Sequence, residues 1–301
     1  MKRLREERRG GVTEDGPRTT AVAKGSWAPP PPSHDGMDNP TANGDDNTDA
    51  ASQDQLIERA VDIQCRPSGI SKQLTLLEDP TGSLAGGNGA TLWDSSLALT
   101  NFLTYHYADT DLSNKHVLEL GAGVGLVGMA LASMGANVVV TERDMALPLL
   151  RRNVDRNAEV TGGRVEVAVL SWSGEVMQKL IKARENDPFD IVVGSDLIFP
   201  SNSDAYEALA DAYEVILKRP SKMGEDDACT RDRGDCAVVD IWLSHEPRIP
   251  AVEDKFFQAT KERGIFVQRL EHGDGVDGKE TKRLPVLPED IFIYKLALDR
   301  L

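Results

Sequence analysis

From His116 to Leu298, short runs rich in Val, Ile and Leu alternate with stretches of helical spacing. "KHVLEL", "NVVVTE", "RVEVAVL", "FDIVVGSDLIF", "CAVVDIWLSH", "IFVQRLE" and "DIFIYKLAL" read as strands. The intervening "GLVGMALASMG", "DMALPLLRRNVDRN", "GEVMQKLIKARE", "SDAYEALADAYEVIL" and "VEDKFFQATKERG" read as helices, with Asp144 placed to cap the second. Continuous apolar strands are covered on both faces, and strands separated by helices pair in parallel. The pattern predicts an α/β chain, doubly wound around a mostly parallel sheet. "TLWDSSLALTNFLTYHY" adds a helix in front of it, and "SKQLTLLEDP" before that a strand of a short N-terminal β extension.

The rest of the 301 residues bounds the setting. Residues 1–55 include "APPPPSHDGMDNPTANGDDNTDAASQDQ", nearly free of large apolar side chains, and are expected to be disordered. The start, "MKRLREERRG", is basic but lacks the apolar stretch of a secretory signal. Residues 56–301 then form one domain, with a hydrophilic loop insertion over 218–236. Cys65, Cys229 and Cys236 make no metal spacing, so no metal site is expected, and so sparse a set suits a reducing compartment. The expected location is the cytoplasm, with the nucleus second. A formal net charge of −15 argues against nucleic-acid binding. No apolar run is long enough to suggest a membrane partner, and a monomer is expected.

"HVLELGAGVGLVG" follows the first strand of the alternation and satisfies two glycine fingerprints at once. Read from Gly123, "GVGLVG" fits the dinucleotide pattern G-x-G-x-x-G. Read from Glu119, "ELGAGVG" fits the acid-x-G-x-G-x-G pattern of S-adenosylmethionine (SAM) sites. The strand ends at Leu120, so Gly121 is the first glycine after it. Glu119 puts a carboxylate under the loop, where a cofactor ammonium is attracted and a pyrophosphate repelled. No phosphate-binding Arg or Lys lies near the loop. These three observations favour SAM. Glu142, ending "NVVVTE", is placed to accept hydrogen bonds from ribose hydroxyls, a role common to both cofactors.

"TLWDSSLALTNFL", the glycine loop, Trp172 of "VLSWSG", "FDIVVGSDLIFP", "WLSHEPR" and "PEDIFIYKL" occur in an order that resembles one group. It is the protein-lysine methyltransferases of methyltransferase family 16, within the seven-strand, Rossmann-like class I of SAM-dependent methyltransferases. The likeness runs from about Leu74 to Leu298. It implies a seven-stranded sheet, SAM as cofactor, and a protein substrate with an accessible lysine, a translation factor or a chaperone among the candidates. It further implies that Trp93 lies against the methionine end of the cofactor and that Gly121, Ala122 and Gly123 form the cradle. Glu142 matches the ribose acceptor, Trp172 the residue packing on adenine, and Ser195 a small residue against the cofactor. Asp196 and Phe199 match a D-x-x-Y motif in the catalytic position, with Phe standing where the family has Tyr. That removes a hydroxyl and keeps the ring. Glu246 and Arg248 read either as a salt bridge at the rim or as surface charges, and the second reading is preferred. Three rivals remain: a small-molecule methyltransferase, an NAD-dependent oxidoreductase using the Gly123 register, and a SAM-binding interaction module.

Overall fold

The computed structural model describes residues 56–65, 70–81, 87–199, 205–219, 239–270 and 288–298. The expectations for residues 1–55, for Cys229 and Cys236, and for 220–236 lie outside the described residues.

Five parallel strands form the centre of the sheet. They are β3 (His116–Leu120), β4 (Asn137–Glu142), β5 (Val165–Val169), β6 (Ile191–Ser195) and β7 (Asp240–His245). Beyond β7 lie β8 (Ile265–Arg269) and β9 (Phe292–Leu298), giving the order β5-β4-β3-β6-β7-β9-β8 with β9 antiparallel to both neighbours. The alternation of strand and helix predicts a mostly parallel sheet, the family resemblance implies seven strands, and the structure has both. A separate antiparallel ribbon of β1 (Ile57–Cys65) and β2 (Ile70–Glu78) packs beside it.

Side chains of successive strand residues point to opposite faces, and each face has its own core. Val117, Val138, Val140, Ile191 and Val193 join one core with helices α1 (Asp94–His106), α2 (Leu126–Ser133) and α3 (Leu147–Arg156). Leu118, Val139, Val192, Ile241 and Leu243 join the other with α5 (Gly174–Ala183), α6 (Tyr206–Leu217) and α7 (Pro250–Glu262). One turn of helix, α4 (Ala158–Thr161), follows α3. Both sheet faces are covered, which is why β4 carries three consecutive valines and β3 has apolar side chains on both faces.

Asp144 does not cap α3. It opens a 3-10 turn, Asp144–Ala146, and α3 begins at Leu147 with Pro148 in its first turn. Proline's fixed φ and missing N–H suit that first turn, so it sets the helix start. One helical turn apart on this region, Asn153 and Asn157 clamp the free edge of β2. Their carboxamide oxygens accept from Leu77 N at 2.7 Å and Thr75 N at 2.9 Å, and their amides donate back to the same residues' carbonyls. The buried Glu78 carboxylate then accepts from Leu92 N at 2.8 Å and from Arg59 Nε at 2.6 Å, tying the ribbon to the entrance of α1. Trp93, next in the chain, is placed by that tie.

Candidate active site

Strand order reverses between β3 and β6, and a crevice outside the carboxyl ends of strands at such a point is where open α/β sheets take ligands. A cavity of about 690 Å³ occupies this place. Trp93, Gly121, Ala122, Gly123, Glu142, Trp172, Ser195, Asp196 and Phe199 all line it, and Glu119 does not.

At one end the wall is backbone. Gly121 has φ +59°, and a Cβ there would stand 2.6 Å from Leu197 Cδ2 and 3.2 Å from Trp172 Cζ2. Only glycine takes that conformation without strain and lets the loop backbone pass against Leu197 and Trp172. Ala122 N donates to Thr141 O at 2.9 Å, and Gly123 N donates to Glu142 Oε2 at 3.3 Å. The other oxygen of Glu142 accepts from Arg143 N at 2.9 Å. Glu142 thus braces the loop from the end of β4 while facing the cavity. Arg143 also lines the cavity, a basic residue near the loop that the sequence reading did not single out. Its Nε stands 3.8 Å from Glu142, at the β4 rim, with its side chain largely in solvent.

Glu119 requires a correction. It shares a sheet face with Val117, so its carboxylate points under α2 and not past the strand end. Gly128 N donates to Glu119 Oε2 at 2.9 Å, and a Cβ on Gly128 would come within 2.5 Å of that oxygen. The carboxylate satisfies an N–H of the first helical turn. Burial raises its pKa to about 8; the Gly128 hydrogen bond pulls the other way, and the charge of Glu142 adds to the rise.

At the mouth the wall is made of side chains. Asp196 has φ +54°, in the left-handed region that costs most residues about 1–2 kcal/mol and Asp somewhat less. Its N–H donates to Ser244 O at 2.8 Å, so the chain leaves β6 in a sharp turn and directs the carboxylate toward the mouth. Arg248 grips both carboxylate oxygens, Nη1 to Oδ1 at 2.9 Å and Nη2 to Oδ2 at 2.7 Å. The wholly buried His245 stands behind, Nδ1 3.4 Å from Asp196 Oδ1 and Nε2 3.4 Å from Glu253 Oε1. Burial pushes the Asp196 carboxyl up, but the imidazole and guanidinium outweigh it and hold it below the ordinary carboxylate value. Arg248 and Glu246 are therefore a rim salt bridge, and the surface-charge reading is overturned: Nη2 also donates to Glu246 Oε2 at 2.7 Å.

Phe199 lines the cavity, and its carbonyl accepts from the buried Tyr206 hydroxyl at 2.7 Å. Sequence reasoning missed Tyr206 and His245. Tyr206 has the look of an ordinary apolar position of α6, and His245 that of the end of a buried strand. Among the described residues no cluster of His, Cys, Asp and Glu could hold a metal ion, and no helix is long and apolar enough to cross a membrane.

A cradle of bare backbone, an acidic strand end and an indole wall suit a nucleoside-like group. Its neighbouring mouth, acidic and aromatic, suits an amine. A family model described as lysine methyltransferase matches residues 70–224, just over half the chain. Protein N-lysine methyltransferase METTL21A of Danio rerio is 36% identical over 139 residues, covering 44% of this chain and 60% of that protein. EEF1A lysine methyltransferase 3 of Mus musculus is 34% identical over 113 residues, covering 38% and 45%. The chain thus spans about 60% or less of the length of these curated relatives. A T. thermophilus 16S rRNA N2 G1207 methyltransferase structure aligns over 81% of this chain and 51% of that one, at 21% identity and a TM-score of 0.45.

Proposed function

The chain belongs to the lysine methyltransferase family, and from that premise we propose that it transfers a methyl group from SAM to the side-chain amine of a lysine in a protein. The observation that carries this reading is one cavity with a backbone cradle at one end and an Asp196–Phe199–Trp93 mouth at the other.

The residues present fit the cofactor. Bare backbone of Gly121, Ala122 and Gly123 lines the cavity, packed against Leu197 and Trp172 where no side chain at Gly121 would fit, and Glu142 offers carboxylate oxygens at the end of β4. In this reading Gly121, Ala122 and Gly123 hold the cofactor against the loop, and Glu142 accepts from its ribose hydroxyls. Trp172 packs on its base, Ser195 sits against it, and Trp93 closes its methionine end. Stacking of that kind is worth about 0.5–1.5 kcal/mol beyond burial. When bound, SAM supplies an electrophilic methyl group on a sulfonium.

The remaining work falls to the acceptor side. A lysine ammonium of ordinary pKa, about 10.4, has no lone pair to give. Loss of water beside Phe199 disfavours its charge and so promotes proton loss to solvent, whereas the Trp93 ring attracts the cation as it arrives. Asp196, held below its ordinary pKa, is too weak a base to take that proton for long. Its role is to attract and orient the amine at near-attack distance, where positioning is the main lever. Protein substrates of the translation or chaperone machinery, a cytoplasmic location and a monomeric state belong to the same proposal. The naming of a murine relative after EEF1A supports the first of these.

The absence of a hydroxyl on Phe199 favours one competing reading, a SAM-binding module without transfer. Incubating the full chain with methyl-labelled SAM and a cell extract separates the two. Label on protein bands that is lost with Gly123→Arg supports the proposal. Label only on small molecules assigns a small-molecule methyltransferase, and SAM binding without transfer assigns the module.

A further inference from the structure

The mouth of the cavity already holds a cation. Arg248 reaches it from the loop between β7 and α7, where its backbone N–H and that of Ile249 donate to Glu253 Oε1 at 2.8 and 3.1 Å. From that anchored root its guanidinium engages Asp196 through two parallel bonds and Glu246 through a third. The guanidinium carbon also stands 5.2 Å from the centre of the Trp93 ring. A carboxylate, an aromatic face and a second carboxylate are the partners that recognise an ammonium ion. Here the chain's own side chain fills that set.

We propose that Arg248 is a specificity-determining latch, occupying the place of an acceptor ammonium against Asp196 and Trp93 until a protein-borne lysine displaces it. The proposal rests on the methyltransferase reading above and deepens it. Asp196 is nearly enclosed, its side chain 4% exposed, whereas Arg248 is 31% exposed and can swing outward. A free amine that takes its place exchanges a forked pair of bonds for a point charge, a poor trade. A lysine carried on a protein brings contacts outside the cavity, and remote binding energy of that kind can open a site. Ile249, next to Arg248, leaves apolar surface at 44% exposure where such contacts can form. The latch therefore separates protein acceptors from small amines of the same chemistry.

The test compares two acceptors with labelled SAM and the full chain: the protein fraction that wild type labels, and N-acetyl-lysine methylamide at millimolar concentration. Arg248→Gln opens the latch from within, and Glu246→Gln loosens it from the exposed side. Calorimetric titration of SAM into each variant reports whether the cradle is intact. Wild type is expected to label the small amine weakly, far below the protein. Arg248→Gln should label it about tenfold above wild type, with Glu246→Gln moving the same way by about threefold. The inference is overturned if wild type labels the small amine as readily as the protein. It is also overturned if Arg248→Gln binds SAM normally yet gains nothing on the small amine, the result expected of a simple brace. Should Arg248→Gln fail to bind SAM, Glu246→Gln decides by the same criterion. A wild type that binds SAM but labels no protein refutes the proposed function instead, and the gain of Arg248→Gln on the small amine still decides the latch.

Discussion

At the glycine-loop end, the cavity wall is backbone contributed by consecutive residues, Gly121 to Gly123, braced by Glu142 one strand away. At the mouth, the wall is built of side chains from three distant places: Trp93 before α1, Asp196 after β6 and Arg248 after β7. The first end depends on φ angles and on close packing that admits no side chain at Gly121. The second depends on compensated charge, because Asp196 is nearly buried and every partner that neutralises it comes from another element. Backbone walls are hard to alter without losing the ligand altogether. A side-chain mouth can be retuned one residue at a time.

Gly121→Val probes the sharper edge of this contrast. A β-branched side chain at φ +59° is strained, and its Cβ meets Leu197. Affinity for SAM should fall by at least about 100-fold in calorimetric titration. Binding within a few-fold of wild type would remove the claim that backbone specifies this end. Asp196→Asn addresses the other side. It should lower turnover on the protein acceptor about 10–100-fold while leaving SAM affinity unchanged. An equal loss of SAM binding would mean that the two ends do not act separately.

Glu142→Gln is milder, since the amide oxygen still accepts. Without the charge, SAM binding should weaken about tenfold with the acceptor KM unaffected. Glu119→Gln leaves the cavity wall untouched and tests an effect on stability alone, one confined to the underside of the loop. In the folded chain the Glu119 carboxyl titrates at about 8, against 4.5 for the ordinary group. Between those values the unfolded chain releases a proton that the folded chain keeps, so wild type loses stability as pH rises through this window. Glutamine accepts the same Gly128 N–H with no proton to lose. Its melting temperature relative to wild type should therefore climb from pH 5 to pH 8, by about 2–4 °C per kcal/mol. A difference that stays flat in scanning calorimetry would show that the carboxyl is ionised when folded.

The unequal legibility of these two ends in the sequence has the same origin. Strand type and the two-faced sheet could be read from Val117–Leu118 and Val138–Val139–Val140, because side-chain direction alternates by local geometry alone. The loop could be read because Gly121 needs a conformation that only its own residue type allows cheaply. Asp144 was misplaced as a cap because Pro148, four residues on, set the helix start instead. Glu119 was misplaced because strand parity turns it toward α2, although its position in the motif suggests the cavity. Arg248 passes for a surface charge until β7 is laid beside β6, which brings it 52 residues back along the chain to Asp196. Tyr206 and His245 likewise acquire their partners only when α6 and β7 pack. What the sequence determined by itself was the α/β architecture and the glycine cradle, since both follow from residue preferences acting over a few neighbours. The acceptor mouth and its latch were decided by the tertiary structure, since charges far apart in the chain take their meaning only from the partners that the fold places within reach.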